Sequence, residues 1–199
     1  MKRDCTLVIL ITVCVLAIVI TQTPLTGMVS GLLPSLVILV SALVIFRRKL
    51  SVGSVILAVI VSLVALPLAI YILVSVGGML LMNIVPLWLN GVLSYILQAA
   101  VSLLVFALVC RILHRRRIRG IRGIHVLIAG ALALASAILD GVSYGFVSEV
   151  PDASIMDMLD YLTSQNPILA LLSQIAFYGD LFFMGYVMWR NVHDENTKT

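Results

Sequence analysis

Six long apolar segments constrain this chain more than any motif does. A helix needs about 20 apolar residues to cross ~30 Å of hydrocarbon, and every segment meets or approaches that length. Hydrophobic residues make up 62% of the 199 residues and charged residues 11%, which is too little polar surface for a soluble globule. We therefore predict an all-α, polytopic integral membrane protein, one domain built as a bundle of six transmembrane helices, at about 5–23, 32–46, 52–76, 87–112, 124–148 and 168–189.

The basic residues predict the orientation of the bundle. If the N-terminus is cytoplasmic, all 13 Lys and Arg residues fall on the cytoplasmic side and none falls in the three outer loops. This distribution obeys the positive-inside rule, so we predict that both termini face the cytoplasm, with the protein in the cell membrane. The densest basic cluster lies in the loop between the fourth and fifth segments and consists of Arg115, Arg116, Arg117, Arg119 and Arg122. In one interpretation it only keeps this loop in the cytoplasm. In a second interpretation it also attracts anionic lipid head groups.

Small residues recur at every fourth position of the fifth segment. In a helix this spacing makes a groove that another helix can approach closely. Such a groove serves ordinary packing within the chain, or it docks another membrane subunit or a second copy of the protein. The residues predicted to form it are Ala129, Ala133, Ala137, Gly141 and Gly145.

Two carboxylates lie inside the last two segments. Asp140 borders the small-residue groove, and Asp180 lies near the middle of the sixth segment. An ionisable group within a membrane normally faces the bundle interior, a partner or water. Apart from Arg111 at the inner end of the fourth segment, no Lys or Arg lies inside any segment to pair with these two. Hydroxyl and amide partners, water, a bound cation, or one proton shared between the two acids all remain open.

Further polar residues complete the candidate site. The fourth segment has a polar line at four-residue spacing, Asn90, Ser94, Gln98 and Ser102, which either forms bonds between helices or lines a cavity. The candidate substrate- or ion-binding set is Asp140, Asp180, Gln98, Ser94, Asn90 and Tyr144.

Three other stretches carry structural expectations. Pro67 is expected to kink the third helix, and the apolar GGMLLMNIVP after Val76 is expected to form a re-entrant or interfacial turn. In the last outer loop, Ser154 and Asp157 approximate a capping box that starts an amphipathic helix at about 154–163.

The motifs that are missing narrow the function. The sequence contains no HExxH or similar metal motif, no GxSxG elbow and no CxxC pair, so we expect no metal, no cofactor and no disulfide framework. No aromatic residues are interleaved with the arginines, which disfavours binding of nucleic acid. Transport or ion handling around the buried carboxylates is the favoured hypothesis. An accessory or scaffold subunit of a larger membrane complex is nearly as strong, and an intramembrane enzyme is weaker.

Overall fold

A computed structural model of the protein describes residues 5–22, 32–47, 50–81, 84–114, 121–143 and 166–196. Of these residues 92% are helical and none is in a strand. The helices are α1 (Cys5–Thr21), α2 (Leu33–Phe46), α3, α4 (Leu87–His114), α5 (Gly123–Ser143) and α6 (Pro167–Asn196). Helix α3 is continuous and has three parts: Val52–Ile60, Val61–Ala65 and Leu66–Leu81.

Four of the helices are long and apolar enough to cross a bilayer, through Val52–Leu73, Trp88–His114, Gly123–Ser143 and Pro167–His193. Helices α1 and α2 are apolar but shorter. The all-helical class of the described residues is thus confirmed and several crossings are supported, whereas the count of six crossings stays a prediction. Several predicted features lie outside the described residues: Tyr144, Gly145, Arg115, Arg116, Arg117, Arg119 and the amphipathic helix at 154–163.

Helix α3 differs from its prediction at two places. The expected turn after Val76 is instead helical as far as Leu81, because a helix satisfies the backbone polar groups of an apolar stretch where lipid offers no partners. Just before Pro67 the helix contains a π-helical turn, Val61–Ala65, in which the Leu66 N–H donates to the Val61 carbonyl five residues back, whereas the kink itself stays a prediction. The wider turn falls next to the missing N–H of Pro67.

The core is arranged around α2 and α6. Ten residues of α2 are buried, although this helix has only 14 residues, because it contacts α1, α3, α4 and α6. Helix α6 contacts α1, α2, α4 and α5, and its contact with α5 is the most extensive in the bundle. Helix α5, which contains the small-residue groove and Asp140, and helix α6, which contains Asp180, are therefore direct neighbours.

The arginines of the described ranges gather at one end of the bundle. Arg111 lies in the last turn of α4, and Arg47 follows Phe46, whose ring contacts His114 at the end of α4 with centroids 5.3 Å apart. Arg122 precedes α5, and Arg190 lies near the end of α6. All four are exposed. This end is the one that the positive-inside rule predicts to face the cytoplasm, and we refer to it as the arginine end.

Candidate functional site

Helices α5 and α6 run antiparallel in a register that three contacts define. At one end the Asn166 N–H donates to the Ser143 carbonyl (2.6 Å). In the middle, Ser136 and Ser173 each donate their hydroxyl to the other's carbonyl, both at 2.9 Å. Towards the arginine end, the rings of His125 and Phe183 lie 6.3 Å apart. We call this interface the α5–α6 seam.

The register separates the two carboxylates. Counting from Ser136 and Ser173 places Asp140 level with Leu169 and Asp180 level with Ala129. Eleven residues at 1.5 Å per residue then put the two acids about 16 Å apart along the helix axes. They cannot share one proton, which removes one of the possibilities that the sequence left open.

Asp180 is 2% exposed, and its Oδ1 has no hydrogen-bond partner in the described part of the chain. On α6 it lies two turns from Ser173 and about 20° around the helix, so it faces the seam. The residues of α5 at its level, Ala129 and Ala133, are small and buried. Asp180 is therefore a carboxyl group in the seam, beside alanines that offer it no side-chain hydrogen bond.

Asp140 is 8% exposed and lies near the other end of the seam. It is one turn beyond Ser136 on the same face of α5. Ser143 caps the turn locally, because its hydroxyl donates to the backbone carbonyl of Asp140 (2.6 Å). The Asp140 side chain thus lies between the central serine pair and the Ser143–Asn166 contact that closes the seam.

The small-residue groove predicted on α5, called the small-residue stripe below, packs against other helices of this chain. Ala129, Ala133, Ala137 and Gly141 are all buried. A Cβ added at Gly141 would overlap the Cγ2 atom of Val92 and lie 3.4 Å from the carbonyl oxygen of Trp88. Glycine is therefore what allows α4 to approach α5 so closely, and this part of the stripe faces α4 while Ser136 faces α6.

The polar line of α4 is not directed at Asp140. Val92 is the α4 residue against Gly141, and Asn90 lies two residues earlier, about 160° around the helix. Asn90 is buried, whereas Ser94 and Gln98 are half-buried. The α4 candidate Asn90 is therefore directed away from Gly141 and Asp140.

Four residues that tie α6 to its neighbouring helices are outside the predicted set. The Gln174 amide donates to the Tyr95 hydroxyl (2.8 Å) and ties α6 to α4. Ser136 and Ser173 form the reciprocal pair described above. Their position on the Asp140 and Asp180 faces is readable from helical spacing, but pairing between two helices depends on a register that local sequence does not contain.

His125 is also part of the seam. Its Nδ1 accepts the Arg122 backbone N–H (3.1 Å), so its hydrogen lies on Nε2 when the ring is neutral. It lies four residues from Ala129, the position level with Asp180, and about 6 Å further towards the arginine end. The sequence places His125 far from Asp140, but the register brings it within about one turn of Asp180.

Within the described ranges no group of three or more His, Cys, Asp or Glu side chains could hold a metal ion. Comparisons of the chain with protein-family models, curated proteins and solved structures gave no match.

Proposed function

We propose that this protein handles an ion within the membrane, either binding it or passing it across, and that Asp140 and Asp180 are the groups that carry it. The observation that supports this most directly is that both carboxyl groups are buried in one helix interface. A carboxyl group in the membrane interior is costly to insert, by roughly 2.5 to 3.5 kcal/mol on insertion scales, so two in one seam favour a function.

The order of polar groups along the seam supports transfer along it. From the end opposite the arginines, the polar positions are Ser143 with Asn166, then Asp140, then Ser136 with Ser173, then Asp180, then His125. The span from Ser143 to His125 is 18 residues, about 27 Å, which is close to the thickness of the hydrocarbon core. The two carboxyl groups and one histidine thus occupy successive depths of a single interface.

The charge distribution supports a proton or another cation as the ion. The arginines of the described ranges are all exposed, so none of them lies buried beside either carboxylate. A buried carboxylate without a basic partner is stabilised by a proton, a bound cation or water. An anion, in contrast, would be repelled at both depths.

A role as an accessory subunit is less well supported by the same geometry. That hypothesis needs the small-residue stripe as a docking surface for another chain. The stripe residues within the described ranges are already covered inside this chain, Gly141 by Val92 and Trp88.

The test is flux into proteoliposomes, measured with pH-sensitive and cation-sensitive dyes on the wild type, Asp140→Asn, Asp180→Asn and the double variant. Asparagine preserves the volume and removes the titrating group, so we expect at least a tenfold loss of flux in each single variant. Melting curves in detergent serve as the folding control. Wild-type flux in a folded double variant would refute the proposal and leave the subunit hypothesis.

A further inference from the structure

Three serine hydroxyls inside the bundle are completely buried and have no hydrogen-bond partner in the part of the chain that the structure describes. Ser35 in α2, Ser62 in the π turn of α3 and Ser102 in α4 are each 0% exposed. Their Oγ atoms have no partner within the described residues. A buried hydroxyl without a hydrogen bond is destabilising, and native proteins contain few such groups.

The three serines come from segments that contact one another. The π turn packs against both α2 and α4, and α2 packs against α4. Ser62 is the buried residue of the π turn, so it is the one directed into the bundle. Ser35 lies on the same side of α2 as Phe46, whose ring faces α4.

They also lie at one depth. Counting back from the contact between Phe46 and His114 places Ser35 near the level of Leu103, one residue from Ser102. Helix α3 ends at Leu81, shortly before α4 begins at Leu87, and packs against α4, so the two run antiparallel. Pairing these two ends puts Ser62 near the level of Phe106. The three hydroxyls therefore lie within about 6 Å of each other along the bundle axis.

Asp180 reaches nearly the same depth from α6. Tyr95 contacts Gln174, and Phe106 lies against Gly185, so α4 and α6 run parallel with a constant offset. That offset places Asp180 level with Val101, next to Ser102. Four side chains from four helices thus bring oxygen atoms without partners to one level: Ser35, Ser62, Ser102 and Asp180.

The backbone near the serines offers both donors and acceptors. Pro67 has no N–H, so the five-residue spacing of the π turn leaves the carbonyl of Ser62 without its helical donor. Helix α2 begins at Leu33 with Pro34 in its first turn, and its N-terminus, where amide N–H groups lack helical partners, is at the same depth as the hydroxyls. A ligand that both donates and accepts hydrogen bonds fits this mixture.

We propose that Ser35, Ser62 and Ser102 hold a small cluster of internal water molecules at the centre of the bundle, at the depth of Asp180. Water matches the mixture of donors and acceptors, and buried water normally has two to four polar partners. A bare cation fits less well, because the positive end of the α2 dipole points at the site.

The cluster also indicates which ion Asp180 carries, and this step rests on the function proposed above. The cluster lies at the depth of Asp180, and His125 lies about one turn further towards the arginine end. Water at that depth can take part in a hydrogen-bonded path for the proton of the carboxyl group. The ion is then a proton, and the water held by the three serines is part of its path.

The water site is tested by melting temperature, without any assay of function. We compare Ser35→Ala, Ser62→Ala and Ser102→Ala with Ser41→Ala, a control in α2 that also removes a buried hydroxyl and gains the same helix propensity. Ser41 lies six residues from Ser35, about 9 Å further along the axis. If water is bound, the three variants lose its hydrogen bonds and melt about 2–4 °C below the control.

Two results would overturn the water site. In a dry core each of the three variants removes an unsatisfied hydroxyl, so the proteins would melt at or above the temperature of Ser41→Ala. If sodium chloride raises the wild-type melting temperature above that in choline chloride, and the triple variant loses this rise, the ligand is a cation.

Proton flux separates this inference from the proposed function. We expect the triple serine variant to conduct protons at least tenfold more slowly than the wild type while remaining folded. Loss of flux in Asp180→Asn with wild-type flux in the triple variant would refute the link between water and proton and leave the ion-handling function standing. If Asp140→Asn and Asp180→Asn leave flux unchanged, the proposed function fails, and the melting comparison still decides the water site.

Discussion

The α5–α6 seam and helix α3 are both apolar enough to cross a membrane, but they are built differently. In the candidate membrane span of α3, 17% of the residues in its apolar stretch are buried inside the protein, against 39% in the corresponding stretches of α5 and α6. Helix α3 exposes large aliphatic side chains such as Ile56 and Val64, whereas the seam buries alanine, glycine and serine. Apolarity thus indicates that a helix can reside in lipid, while small and polar residues indicate what it packs against.

The largest effect should follow from removing the close approach of α4 and α5. Gly141→Ala places a Cβ against Val92 and the Trp88 carbonyl, so we expect a loss of about 1 to 3 kcal/mol from overpacking. Gly130→Ala in the same helix is the matched control, because it is exposed and a Cβ there meets nothing within 4 Å. Unfolding in detergent measures both variants, and equal stability would mean that the stripe does not pack as described.

A smaller effect is expected at the reciprocal serine pair. Ser136→Ala and Ser173→Ala each remove one hydroxyl that donates to the other residue's backbone carbonyl, so we expect each variant to lose about 0.6 to 1.7 kcal/mol. The same unfolding assay measures both variants. Wild-type stability in both would show that the two bonds do not form in the folded protein.

The smallest effect is expected in α3. Leu68 is 54% exposed, so it faces lipid or detergent rather than the core. We expect Leu68→Ala to change stability by less than about 0.5 kcal/mol. If its cost approaches that of Gly141→Ala, another surface covers α3, and the contrast between the two regions disappears.

The sequence predicts the composition of the seam but not its register. The four-residue spacing from Ala129 to Gly141 identifies the face that is buried, and the cost of a carboxylate in lipid predicts the burial of Asp140 and Asp180. Which helix meets Gly141, and how far apart the acids lie, depend on contacts between segments distant in sequence. Local spacing along one helix carries no information about its offset from the next.

The same limit explains the differences in α3 and α4. Pro67 predicts a disturbed helix. It does not predict that the helix will widen into a π turn, with a five-residue hydrogen-bond spacing, just before the proline. The polar line from Asn90 to Ser102 is visible at four-residue spacing, yet its direction is set by the packing of Val92 against Gly141. Both outcomes are decided by tertiary packing.

The many contacts of α6 have a consequence for how the protein is made. Helix α6 has the lowest mean hydropathy of the four candidate spans, and it contacts α1, α2, α4 and α5. It is synthesised after all of these helices, so its partners are already in the bilayer when it leaves the ribosome. A carboxyl group that lipid would disfavour can then enter directly against the buried Ala129 and Ala133. Biosynthesis interrupted before Pro167 would leave α5 without the surface that covers its polar face, an intermediate that membrane quality control can recognise.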